Sequence, residues 1–506
     1  VKRFLAVGCG ALLLTPFIPP VAQAVESQAK AVRWTPCTDR DLKGVDCGSV
    51  AVPLDHAAPH GKMITVALSR AEHTGPARQY QGVLLVNPGG PGGGGRGFAA
   101  EVAADLPADV RRAYDVVGFD PRGVGASSPA VSCEPSYFAP VRPDYVVTTA
   151  AQEAVWLRRS RDYAQACGRK YGDLLDHLKS IDVVQDMDDI RQALGQQKIN
   201  FFGASYGTYL GAVYATRYPG RVRRMVLDSS VRPTGIWYQS NLDQDYSFDA
   251  SVKSLFGWIA AHDDVYGLGH TESMVERGYY ALRARLAARP ASGVLGPDEL
   301  DDTLQIGAYL APTWPPLAAA LSRYILHGDP ADLIRRYKAW GVTKEPEFAV
   351  YNAVQCTDAP WPKRWSVWKA DAERIYAKAP YQAWGNTWFN APCLFWPARP
   401  GTPVTIASSK DLPPILMFQA TLDAATPFAG GLEMHRRLRG SRLVVEDGGR
   451  THAIVQRGNA CVDRKFDDFL ATGALPAEET HCPKLPDPVP AGDSARPGSR
   501  ARVPST

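Results

Sequence analysis

Residues 199–216 read INFFGASYGTYLGAVYAT. INFFG, at 199–203, has the short apolar run of a buried strand. The stretch from Tyr206 onward reads as a helix, closed by Pro219 and Gly220. Between them stands Gly203-Ala204-Ser205-Tyr206-Gly207, a G-x-S-x-G. A serine at so sharp a strand-to-helix turn must adopt strained backbone geometry, and only small residues fit two positions to either side. Its hydroxyl then stands free at the carboxyl end of a sheet, as a nucleophile requires. A structural serine in a tight turn is the plainer alternative.

Working outward, strands are expected at 48–54, 63–70, 82–87, 114–120 and 224–227. Val183, Met187, Ile190 and Leu194 share one helical face, and Gly195 ends that helix. Apolar strands alternating with helices mean a mostly parallel sheet with helices on both faces, an α/β fold. The alternation stops at about residue 234. From there to 398 the chain is helix-like, rich in Trp and broken by Pro. It resumes with a strand at 414–420, a helix at 428–438, a strand at 442–446 and a helix at 463–470. The expected organisation is one α/β core, 25–233 and 399–482, interrupted by a large helical cap at 234–398. The tail, 483–506, carries six prolines among polar residues and is expected to be disordered.

The bulk numbers narrow the function. A net charge of +4 over 506 residues argues against a nucleic-acid binder. At the N-terminus, Lys2 and Arg3 precede an apolar run and an Ala22-Gln23-Ala24 cleavage signal, so residues 1–24 read as a secretory signal peptide. Pro16, Pro19 and Pro20 interrupt the run and speak against a stable membrane anchor. A lipoprotein reading through Cys9 is the alternative. The expected location is extracellular or in the cell envelope. Eight cysteines remain after cleavage, and an even number in an exported chain suggests disulfides. Eight allow 105 pairings. Pairing sequence neighbours gives Cys37–Cys47, Cys133–Cys167, Cys356–Cys393 and Cys461–Cys482. There is no C-x-x-C and no ligand-spaced His cluster, so neither a metal nor a cofactor is expected.

A serine nucleophile needs a base, and the base an orienting carboxylate, in the chain order Ser, Asp or Glu, His. Asp423 follows the strand at 414–420, and His452 follows the strand at 442–446. His435 and His481 are alternatives for the base, and Glu446 and Asp447 for the acid, but each is worse placed. The chemistry also needs two backbone N–H groups aimed at the developing oxyanion. Tyr206, next after the serine, supplies one. The run VNPGGPGGGGRGF, at 86–98, supplies the other through Gly89 or Gly90. That run also fits a dinucleotide fingerprint on paper. Pro88 and Pro91 remove donors that such a site would use, and the downstream Ser, Asp and His would stand unexplained. Phe119-Asp120-Pro121-Arg122-Gly123 reads as structural, with Arg122 a candidate brace for the glycine loop.

With these residues in hand, the chain resembles secreted actinobacterial, streptomycete-type tripeptidyl aminopeptidases of the α/β-hydrolase fold, relatives of the prolyl aminopeptidases. The resemblance rests on NPGGPGG at 87–93, VGFDPRGVG at 117–125, GASYGTYLGAVYA at 203–215, WYQSNLDQD at 237–245, QCTDAPWP at 355–362, ATLDAATP at 420–427 and the segment around Cys461. It implies a Ser205–His452–Asp423 triad, release of tripeptides from peptides with a free N-terminus, and secretion. One departure stands out: Gln355 occupies a position where the family commonly has Glu. Binding an N-terminal ammonium calls for a carboxylate in the cap. Asp358 ranks first, with Asp245 and Asp243 behind it. A monomer is expected. A secreted esterase with the same triad, or an inactive peptide-binding protein, are the rival readings.

Overall fold

The computed structural model describes Val1 and residues 31–490; the signal-peptide reading at 1–24 and most of the tail therefore lie outside the described residues, Val1 apart. Ten strands form one sheet. They are β1 (Thr35–Pro36), β2 (Asp46–Pro53), β3 (Met63–Ala71), β4 (Val83–Asn87), β5 (Asp115–Asp120), β6 (Ile199–Ala204), β7 (Val222–Asp228), β8 (Leu416–Ala420), β9 (Arg442–Asp447) and β10 (Glu479–Pro483). Their spatial order is β1-β2-β3-β5-β4-β6-β7-β8-β9-β10. β1, β2, β3 and β5 pair antiparallel, and every pairing from β5 through β4 to β10 is parallel.

The central strands are buried on both faces, which explains their unbroken apolar runs. Leu85, Val117, Phe201 and Met225 face the helices Ser180–Ala193 and Tyr206–Arg217. Leu84, Val86, Val116 and Phe418 face the helices Arg96–Asp105 and Ala460–Thr472. Between β7 and β8 the chain runs through helices from Tyr238 to Leu394. Much of this stretch builds its own core around Phe256, Leu304, Trp314 and Leu317.

Two features depart from the sequence reading. No strand is expected at the end of the core, 479–482, because ETHCP has no apolar run. Yet β10 pairs with β9 through five residues, and Cys482 is fixed to Cys461. The chain stays attached beyond it: Trp258 Nε1 donates to the carbonyl of Pro488. A disordered tail from 483 is therefore placed too early. Arg122 also does not brace the glycine loop. It is buried against Asp186, at 2.5 and 2.7 Å, and donates to the carbonyls of Pro53, Leu54 and His177. Asp120 does the bracing instead, accepting from the backbone N–H of Arg96.

Register decides where the site lies. Asn87 on β4 pairs with Gly203 on β6, and Ala204 pairs with Asp228 on β7. Asp228 pairs with Phe418 on β8, and Ala420 with Glu446 on β9. The loops after β4, β6, β7, β8 and β9 all leave the same carboxyl edge, as expected for ligand sites on a parallel sheet. The glycine run, Ser205, Asp423 and His452 lie on those loops.

Candidate active site

Ser205 sits at φ 55° and ψ −127°, the strained turn that G-x-S-x-G anticipates. Its N–H donates to the carbonyl of Asp228, 3.0 Å away, and Tyr206 opens the following helix. The helix N-terminus places partial positive charge beside the serine.

His452 and Asp423 are in direct contact. His452 Nδ1 lies 2.9 Å from Asp423 Oδ2 and 3.0 Å from Oδ1. The carboxylate is held in place from behind. The backbone N–H groups of Ala425 and Thr426 each donate to Oδ1, and Thr426 Oγ1 donates to Oδ2, all at 2.9 Å. His452 Nε2 is buried and has no hydrogen-bond partner, so no bond joins it to Ser205 in this state. Such contacts commonly tighten only when substrate is bound. The cap reaches the histidine from above: His452 N–H donates to the carbonyl of Tyr309 at 2.8 Å, and the two rings meet edge-on at 5.5 Å. Tyr309 carries no motif in the sequence, and Thr426, within ATLDAATP, is not singled out there.

The glycine run makes two close approaches. A Cβ on Gly89, at φ +109°, would fall 2.7 Å from the Ala204 carbonyl oxygen and 2.8 Å from Ser205 Cβ. A Cβ on Gly92 would fall 2.3 Å from the carbonyl oxygen of Glu347, in the cap helix Glu345–Asp358. The run thus seats both the serine turn and the cap. The N–H of Gly89 is taken by Asn87 Oδ1 at 3.0 Å, which leaves Gly90 as the better-placed donor of the two candidates.

The three cap carboxylates differ sharply. Asp358 is fully engaged: it accepts from Ser180 N–H at 2.7 Å, Ser180 Oγ at 2.5 Å and Trp237 Nε1 at 3.0 Å. Ser180 Oγ also bonds the hydroxyl of Tyr206. Asp358 therefore braces Tyr206, the residue after Ser205, and its oxygens are already engaged, which speaks against its first rank as an ammonium ligand. Asp243 already pairs with Arg232 at 2.5 Å. Asp245 is only 1% exposed, and among the described residues no Lys, Arg or His pairs with it. Its Oδ1 accepts from Asn386 Nδ2 at 2.9 Å. Burial pushes its carboxyl well above the usual carboxylate range, against the pull of that hydrogen bond.

Asp245 belongs to a polar cluster built from three cap helices. Asn386 also donates to the Asn241 carbonyl, Asn241 Nδ2 donates to Gln355 Oε1 at 2.9 Å, and Tyr351 OH donates to Asn390 at 3.1 Å. Tyr351 lies near Tyr309, and through it near His452. One His/Asp group elsewhere, His56, Asp186 and Asp189, has ligand-spaced atoms, but Arg122 already fills the position of a cation there.

A parallel sheet with a serine elbow after β6 and an Asp–His pair on the loops after β8 and β9 defines an α/β-hydrolase. Residues 82–266 match the family model for the alpha/beta hydrolase fold, and residues 379–482 match that of the TAP-like protein. The chain is 40% identical over 480 residues to a tripeptidyl aminopeptidase of Streptomyces coelicolor, covering 92% of this chain and 88% of the relative. It is 30% identical to serine protease Hip1 of Mycobacterium tuberculosis, covering 89% and 91%. It is equally 30% identical to carboxylesterase B of the same organism, covering 92% and 94%. The chain belongs to the tripeptidyl aminopeptidase family and is a serine hydrolase. Four disulfides, Cys37–Cys47, Cys133–Cys167, Cys356–Cys393 and Cys461–Cys482, cross-link it, and no helix among the described residues is long and apolar enough to cross a membrane.

Proposed function

We propose that this is a secreted serine exopeptidase that releases tripeptides from peptides with a free N-terminus. The carrying observation is the His452–Asp423 pair beside the Ser205 elbow, with His452 Nε2 left unpartnered. Ser205 Oγ attacks the peptide carbonyl while His452 Nε2 takes its proton. Asp423 fixes the Nδ1–H tautomer and faces the imidazolium that forms. Negative charge develops on the carbonyl oxygen, and the N–H groups of Tyr206 and Gly90 donate hydrogen bonds to it. His452 then hands the proton to the leaving amine. Water attacks the acyl-enzyme with His452 again as base, and the peptide leaves. His452 acts as the base only through a neutral Nε2.

Asp245 accounts for the requirement for a free N-terminus. Burial without a cation favours the neutral form of Asp245, and a substrate ammonium would supply the partner charge that restores its carboxylate. The neutral Asn386, Asn241 and Gln355 orient the site without competing with it. Gln355, where the family commonly has Glu, therefore leaves Asp245 to carry the recognition. The disulfides support secretion.

The test of the triad is active-site labelling. A fluorophosphonate should label Ser205 in the wild type, and Ser205→Ala should abolish the label. His452→Ala should slow labelling by about a thousandfold or more; full-rate labelling of His452→Ala rejects the assignment. The carboxylesterase relative favours a second reading, a general acyl hydrolase. Ester turnover indifferent to a substrate ammonium would support that reading instead.

A further inference from the structure

Three strained backbone positions meet at one dipeptide. Ser205, Ser229 and Ala453 have φ of 55°, 59° and 58°, a region that residues other than glycine seldom occupy. Each such position persists only where its surroundings over-determine it. Here Asp228 and Ser229 supply the constraint. The carbonyl of Asp228 accepts the N–H of Ser205 at 3.0 Å. Its carboxylate reaches the opposite way, accepting from Ile454 N–H at 3.1 Å and Val455 N–H at 2.8 Å. Ser229 Oγ accepts from Ala453 N–H at 2.8 Å, and Ser229 N–H is anchored to the Phe418 carbonyl on β8 at 2.9 Å. The three consecutive N–H groups after His452 are thus all held by Asp228, the last residue of β7, and Ser229, the next in the chain.

From this arrangement we infer that Asp228 and Ser229 are positioning residues for proton transfer, locking the His452 turn to the Ser205 elbow so that base and nucleophile keep one geometry through the cycle. The inference rests on reading Ser205 and His452 as nucleophile and base. Backbone donors alone do not explain a charged group here. Asp228 is wholly buried, and burial pushes its carboxyl up to about 6, opposed by the Val455 and Ile454 N–H groups and by His452 and Arg457. Arg457 is itself tied to the Ala453 carbonyl at 3.0 Å. The charge gains a partner when His452 becomes an imidazolium, so Asp228 acts on the base electrostatically as well as through the backbone.

The experiment compares Asp228→Asn and Ser229→Ala with wild type and His452→Ala in the full secreted chain. It reads kcat, KM, the acid limb of the kcat/KM profile and Tm. Asp228→Asn should lower kcat about 10- to 100-fold with KM within about twofold, because the base is misplaced while the binding groups are untouched. Asp228 favours the imidazolium, so its loss should also move the acid limb to lower pH. The other groups that meet His452, namely Asp423, Thr426 and Tyr309, are unchanged in this variant, as is Arg457 near Asp228. Ser229→Ala should lower kcat about 3- to 10-fold without moving the limb, because no charge is removed. A kcat within twofold of wild type in either variant overturns the inference. So does a loss in Asp228→Asn that follows a lowered Tm with the limb unmoved. If Asp228→Asn does not fold, Ser229→Ala decides alone. Full activity in His452→Ala would instead reject the triad, a separate outcome.

Discussion

His452 Nδ1 stands 2.9 Å from Asp423 Oδ2, and three other donors hold that carboxylate from the far side. The imidazole is therefore fixed as the Nδ1–H tautomer with Nε2 free. Asp423→Asn keeps the size but presents an amide that can stabilise the wrong tautomer. It should lower kcat by about 10³- to 10⁴-fold with KM little changed. Steady-state kinetics check this, and a loss below tenfold contradicts it.

Gly89 should tolerate no side chain. Its Cβ would press on Ser205 Cβ and lie 3.0 Å from Tyr206 N, one of the proposed oxyanion donors. Gly89→Ala should cost about a hundredfold or more in kcat. It should also lower stability, since φ is +109°. Kinetics with a urea titration separate the two effects; unchanged kcat would show that the elbow does not depend on this approach.

Asp358 should make stability depend on pH. Burial raises its carboxyl to about 6, against hydrogen bonds from Ser180 and Trp237. A folded-state value above the unfolded one means that the folded chain binds the proton more tightly. That stabilisation is full below the unfolded value and is lost as pH rises through about 6. Wild type should therefore lose stability relative to Asp358→Asn between pH 5 and 7 by on the order of 1 kcal/mol. Urea midpoints at the two pH values measure it. A flat difference contradicts the expected charge burial.

Cys356–Cys393 closes a loop of sequence separation 37 and ties the end of the helix bearing Gln355 to the turn after Asn390. Replacing both cysteines by serine should cost about 2–4 kcal/mol. Because those helices carry the polar cluster around Asp245, KM for a free tripeptide substrate should rise more than kcat falls. Unaltered KM would separate the cluster from the cap's rigidity.

The sheet and its loops were legible because the strands announce themselves. Residues 83–87, 115–120 and 199–204 are apolar runs ended by turn residues, and a parallel sheet buried on both faces demands that pattern. β10 was not legible: ETHCP earns its place through pairing with β9 and the Cys461–Cys482 link, both long-range. The same distinction divides the site. Ser205 carries a local signature. Asp423 and His452 could be placed by chain order after strands. Asp228, Ser229 and Tyr309 meet the His452 turn through backbone groups brought close only by folding, and no spacing encodes that. Asp358 and Asp245 look alike as cap acids; what separates them is that three donors surround the first, whereas one amide and, among the described residues, no Lys, Arg or His meets the second.

The most direct test of the central claim is a paired assay. Wild type, Ser205→Ala and Asp245→Asn would each meet Ala-Pro-Ala with a C-terminal chromogenic amide, and the same tripeptide acetylated at its N-terminus. The account expects rapid release by wild type from the free peptide only, none by Ser205→Ala, and a loss of the preference for the free N-terminus in Asp245→Asn. Equal release by wild type from both substrates would contradict it, leaving a serine hydrolase that does not read the N-terminus.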